Sequence, residues 1–174
     1  LSWKQQRNSD LKKDFRILSV DMRGHGASDK PQFPEAYNNY LPFAEDIKAI
    51  LDYVGATQVV PICWSMGGNW ISDYMRKYGD EQLAGIVLVG ATTQQGTSIT
   101  DKFFGQGAID NLEGLFDLDL EKNISATRAF VSACTEMKYC STDFEDTVAF
   151  NMIVSPQIRQ WMLGRISDNN DVLK

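Results

Sequence analysis

The chain has 174 residues, 43% of them apolar and 23% charged, and its 17 basic against 23 acidic side chains give a formal charge of −6. That length fits one compact domain, and an apolar share this large, with nine Phe, six Tyr and four Trp, excludes an intrinsically disordered chain. The acidic balance and the lack of a Lys/Arg cluster argue against a nucleic-acid or anionic-membrane partner, and no apolar run approaches the roughly 20 residues of a membrane span.

Three cysteines, Cys63, Cys134 and Cys140, are too few and too scattered for a disulfide framework, and a single histidine removes the commonest zinc ligand. The chain therefore reads as a soluble, cytoplasmic protein with reduced thiols, no metal and no cofactor. Residues 1–99 carry 10 basic and 11 acidic groups, whereas residues 100–174 carry 7 and 12. No repeat or linker separates the two parts.

In chain order, Phe15–Asp21 is a short β-rich run ending in the turn Arg23-Gly-His-Gly-Ala-Ser-Asp29, where paired glycines allow unusual backbone angles. Asp21 and Asp29 suit the fixing of that turn by side-chain-to-backbone bonds. Apolar residues recur at Phe43, Ile47, Ile50, Leu51 and Val54, one face of a helix; Glu45 and Asp46 suit its positive end, and Gly55 stops it. Thr57–Cys63 predicts a second strand. Beyond Ser65-Met-Gly-Gly68, the residues Trp70, Ile71, Tyr74, Met75 and Tyr78 share a helical face closed by Gly79, and Leu83–Val89 predicts a third strand.

Continuous apolar strands alternating with helices imply an α/β fold with a parallel sheet and crossover helices. From residue 100 the spacing is helical. Thr127, Phe130, Val131, Cys134 and Met137 form one stripe, and Ile158, Trp161, Met162 and Arg165 another, with Ser155 as N-cap and Pro156 at the first helical position. The expected architecture is thus a core over residues 1–99 and an α-helical cap over residues 100–174. The acidic run Asp117–Glu121 reads as a solvated helix face.

The chemistry concentrates in Val59-Val-Pro-Ile-Cys-Trp-Ser-Met-Gly-Gly68, a strand turning sharply into a helix with a serine at the apex. Such a bend exposes the hydroxyl, while the next backbone N–H and the helix N-terminus favour developing negative charge. Cys63 reads as a small packing residue at the strand end, and Asp101, beyond the third strand, is a minor candidate for an acid.

Taken together, Asp21-Met-Arg-Gly-His-Gly-Ala-Ser-Asp-Lys-Pro31, then a helix, then Cys63-Trp-Ser-Met-Gly-Gly68 resemble the α/β-hydrolase superfamily. Ile71–Gly79, Leu83–Ala91 and Ser155–Arg165 look like its esterase and cofactor-free haloperoxidase-like branch. The resemblance implies a partial α/β-hydrolase fold, with Ser65 as nucleophile and the Met66 amide as an oxyanion donor. It also implies that Trp64 either lines the acyl pocket or packs beneath the cap. These residues correspond to a central portion of that fold, so the second oxyanion donor, the acid and the base are expected outside them, and activity of this chain alone is expected to be impaired. His25 belongs to the Arg-Gly-His-Gly turn and is expected to be structural. The implied substrate is a small carboxylic ester; the alternative is a non-catalytic fragment or pseudoenzyme that binds a small apolar ligand. One sheet face is expected to be bare, inviting a second copy or a complementing chain.

Overall fold

The computed structural model describes residues 2–97, 104–136 and 141–173. The chain opens with α1 (Lys4–Asn8) and a 3-10 turn over Asp10–Lys13, whose first free amide, Leu11 N, donates to Ser9 Oγ. Residues 15–22 then run without helix or ladder, correcting the strand predicted over Phe15–Asp21. A β-rich composition makes no strand by itself, because the backbone groups need a neighbouring ladder. Here Phe15, Leu18 and Val20 stay exposed, and the segment is tied down by Arg16 Nη1 donating to Val54 O at 3.1 Å.

The helix predicted from Phe43 onward forms as α2 (Leu41–Tyr53), with Pro42 in its first turn and Asn39 Oδ1 accepting from Leu41 N. Glu45 and Asp46 pair with other elements: Lys77 Nζ donates to Glu45 at 2.6 Å, and Arg23 grips Asp46 with two bonds of 2.6 and 2.7 Å. The next strand is shorter than expected, β1 (Ile62–Trp64), preceded by an isolated bridge between Val59 and Leu83. Helix α3 (Gly67–Tyr78) returns the chain to β2 (Val87–Val89), which pairs with β1 in parallel, Cys63 opposite Leu88. The parallel pairing and the intervening helix are those expected from the sequence.

Two apolar clusters hold this unit. Leu51, Cys63, Ile71 and Tyr74 fill the space between α2, α3 and β1, with Ile47, Met75, Tyr78 and Leu83 around them. Phe43, Tyr37, Ala36, Val154, Ile158 and Met162 form the other cluster, against which Met66, Trp70 and Trp161 pack. Full burial of a side chain such as Phe43 or Ile158 contributes roughly 1.5–3 kcal/mol.

The C-terminal part is helical: α4 (Gln106–Ile109), α5 (Leu112–Phe116), α6 (Leu120–Ala133), α7 (Ser141–Met152) and α8 (Pro156–Leu163). Ser155 caps α8 as expected, its Oγ accepting from Ile158 N. Of the predicted α6 stripe, Thr127 and Val131 are buried, while Met137 lies outside the described residues. The acidic run does more than face solvent, since Asp119 caps α6 by accepting from Lys122 N at 3.1 Å. Buried Arg159 on α8 donates to Leu115 O, Thr127 Oγ1 and Asn151 O, and so ties α5, α6 and the last turn of α7 to α8. A short antiparallel pair that the sequence did not announce, β3 (Gln94–Gln95) with β4 (Ser167–Asp168), joins the stretch after β2 to the stretch after α8. The buried, bidentate pair between Arg165 and Asp73 of α3 makes a second link between the two parts.

Candidate active site

The bend between β1 and α3 is set by three backbone hydrogen bonds to Ser65. Its N–H donates to Val89 O at 3.2 Å, which continues the β1–β2 ladder, and its carbonyl accepts from Gly68 N at 3.2 Å and Thr92 N at 3.0 Å. Ser65 stands at φ +54°, the one non-glycine in the left-handed region among the described residues. Such a conformation costs about 1–3 kcal/mol and persists where its surroundings over-determine it. The helix starts so close to the chain after β2 that a Cβ on Gly68 would lie 2.6 Å from Thr92 O. Only glycine fits that approach.

This bend leaves Ser65 exposed, and its Oγ makes no hydrogen bond among the described residues. The neighbouring Met66 N–H has no acceptor there either, and it lies at the start of α3, where the first amides of the helix are unsatisfied and the dipole is positive. A hydroxyl and a donor amide thus stand side by side at the rim of the sheet. The Met66 side chain anchors the turn from below, against the cluster of Tyr37, Phe43 and Ile158.

Cys63, one residue inside the bend on the same side as α2 and α3, is buried, and burial pushes its thiol up to about 11. A thiol held protonated at neutral pH is a packing group. Trp64 alternates to the opposite face with Ile62, and both side chains are about half exposed, at 51% and 48%.

The Arg23–Asp29 turn packs beside this bend. His25 Nδ1 lies 3.2 Å from Arg23 O, and its ring meets Trp70 of α3 edge-on, with centroids 5.6 Å apart. Burial holds the imidazole below its ordinary value, opposed by the Arg23 carbonyl and Asp21. Asp21 accepts from Ala27 N at 3.1 Å and its carbonyl from Ser28 Oγ at 2.5 Å, the turn-fixing part expected of it. Asp29 acts through its backbone instead, its carbonyl accepting from Gly24 N. Asp101 lies outside the described residues. Among the described residues no group of three or more His, Cys, Asp or Glu could hold a metal ion, and no helix is long and apolar enough to cross a membrane.

What the sequence did not single out is the polar packing behind the bend, centred on Asn69 of α3, and the Asp73–Arg165 pair. A charged residue inside the apolar stripe Ile158-Trp161-Met162-Arg165 was the available signal for the pair; a lone Asn after Gly67-Gly68 carries no such mark.

A strand, a left-handed serine and a glycine-packed helix follow one another at this bend. The profile of the alpha/beta hydrolase fold family matches residues 2–143, and the chain belongs to that family. It is 28% identical over 161 residues to the AB hydrolase superfamily protein YisY of Bacillus subtilis, covering 91% of this chain and 52% of that protein. It is 32% identical over 89 residues to the bifunctional esterase/perhydrolase DCH of Acinetobacter calcoaceticus, covering 51% of this chain and 31% of that protein. Among solved structures, the esterase RhEst1 from Rhodococcus sp. ECU1013 superposes with a TM-score of 0.89 at 30% identity, covering 98% of this chain and 62% of that one. The chain thus spans about half the length of the first of these relatives.

Proposed function

We propose that this chain carries the nucleophile-bearing part of a serine hydrolase for small carboxylic esters, with Ser65 as the nucleophile and the Met66 amide as one oxyanion donor. The observation that carries the reading is the pairing, at one strained bend, of an exposed hydroxyl with a free amide. The relatives named for esterase activity support the substrate class.

In the reaction proposed, Ser65 Oγ bonds to the ester carbonyl carbon, and the carbonyl π electrons move onto oxygen, where the Met66 N–H and the positive start of α3 meet the charge. The Oγ proton passes to a general base, which returns it to the departing alkoxide as the tetrahedral adduct collapses to an acyl-enzyme. Water then repeats the sequence and releases the acid. His25 is occupied in its own turn and is not assigned as the base, and without one turnover by this chain alone is expected to be slow. Trp64, adjacent to the nucleophile, is assigned to the substrate-binding surface. A cytoplasmic setting, expected from the cysteine usage of the sequence, goes with this reading.

A fluorophosphonate label tests the reading. Labelling of the folded chain that disappears in Ser65→Ala supports it; a folded wild type that takes no label across pH 6–9 overturns it in favour of a non-catalytic fragment that binds an apolar ligand.

A further inference from the structure

Asn69, on the first turn of α3 and 1% exposed, uses every hydrogen-bonding position it has. Its Nδ2 donates to Thr92 Oγ1 at 3.1 Å and to Gln95 Oε1 at 3.4 Å, and its Oδ1 accepts from Ser167 Oγ at 3.1 Å and Asn169 Nδ2 at 3.4 Å. Two donors and two lone pairs are all that a carboxamide offers. A buried polar network with every member satisfied rigidifies what it touches.

What it touches is the support of the bend. Thr92 is held on one side by Asn69 through its hydroxyl, and on the other its N–H donates to the Ser65 carbonyl at 3.0 Å. The far side of the network is fixed too. Asn169 N donates to Thr93 O, Asn169 Oδ1 accepts from Arg76 Nη2 at 3.1 Å, and Gln95 Nε2 donates to Met162 O at 2.6 Å. The chain returning from the helical part therefore closes a clamp directly behind the serine.

We propose that Asn69 is a positioning residue, which holds Ser65 in its left-handed conformation by fixing Thr92 against the Ser65 carbonyl. The consequence for reactivity rests on the reading of Ser65 as nucleophile; the clamp itself does not. A side chain that only filled space would tolerate removal of these bonds without loosening the bend, since Gly68, Met66 and the β1–β2 ladder would remain.

Hydrogen exchange at the amides of Gly68 and Thr92, both of which donate to the Ser65 carbonyl, reads the clamp directly in the full chain. Asn69→Ala is expected to speed exchange at these two amides about tenfold relative to Ile47 in α2, and Thr92→Val, which keeps its amide and loses only the hydroxyl contact, about threefold. Val131→Ala, a core change in α6, lowers the melting temperature but leaves that ratio unchanged. Fluorophosphonate labelling per folded molecule is expected to slow about tenfold in Asn69→Ala. Unchanged exchange ratios in both variants overturn the clamp, and loosened amides with wild-type labelling rates overturn its role in positioning. If Asn69→Ala does not fold, Thr92→Val decides by the same two readings. A wild type that takes no label, combined with loosened amides in the variants, removes the nucleophile reading and leaves the clamp standing.

Discussion

The two sides of the short parallel sheet live in different surroundings. On one side Cys63 is packed under α2 and α3 with Leu51, Ile71 and Tyr74, and α3 is further pinned by the buried pair between Asp73 and Arg165. On the other side Ile62 and Trp64, with their ladder partners Val87 and Val89, stand 43–51% exposed; on the helical side the cover falls on β1, since Leu88 opposite Cys63 is itself 45% exposed. Parallel strands are ordinarily covered on both faces. The difference teaches that the serine bend is held from the helical side: among the described residues its restraints come from α3, from the end of β2, from Thr92 and, through Met66, from Tyr37, Phe43 of α2 and Ile158 of α8. Among the described residues the bare side contributes apolar surface and no hydrogen bond to the bend.

That asymmetry can be broken most sharply at the buried pair. Asp73→Ala leaves the Arg165 guanidinium buried without its carboxylate, and is expected to cost about 3–5 kcal/mol in urea unfolding; Asp73→Leu with Arg165→Met is expected to recover most of that loss. Ile71→Ala, on the covered side, is expected to cost about 2–5 kcal/mol through the cavity it leaves. Val87→Lys, on the bare side, is expected to change stability by no more than about 0.5 kcal/mol. Its effect appears elsewhere. Wild type is expected to elute from size exclusion as an associated species and Val87→Lys to shift toward monomer, because a contiguous exposed apolar face promotes association. A cooperatively melting wild-type monomer at high concentration would contradict this. The smallest effect concerns pH. His25 is held by burial below its ordinary value of 6.5, so the unfolded chain binds the proton more readily than the folded one. The stability from neutral His25 is complete above pH 6.5 and declines as pH falls below that value. Thermal melts from pH 7.5 to 5 are expected to show a decline that His25→Gln reduces.

The same division explains what was legible in the sequence. Helices α2 and α3 bury one stripe against each other, and a stripe at helical spacing is a local signal, so the sequence shows both helices and their glycine stops, while their starts, Leu41 and Gly67, precede the first stripe residues Phe43 and Trp70. The serine bend was legible for a related reason: its strand, small residues and helix lie within ten consecutive positions, Val59–Gly68. Residues 15–21 have an equally β-rich composition and form no ladder, since pairing depends on a neighbour that a single run of residues cannot specify. The clamp around Asn69 was illegible because its members lie 23 to 100 positions away from it. Met137 of the predicted stripe and the acid candidate Asp101 fall outside the described residues.

The reactivity proposed for Ser65 comes from where the bend holds it. Peptide mapping after brief fluorophosphonate treatment tests this against the chain's own exposed Ser19, a serine in an ordinary unpaired segment. The account predicts an adduct that accumulates on the peptide containing Ser65 at least a hundredfold faster than on that containing Ser19, on the order of what a few kcal/mol of oxyanion stabilisation supplies. Equal, background-level modification of the two serines in the folded chain would contradict it.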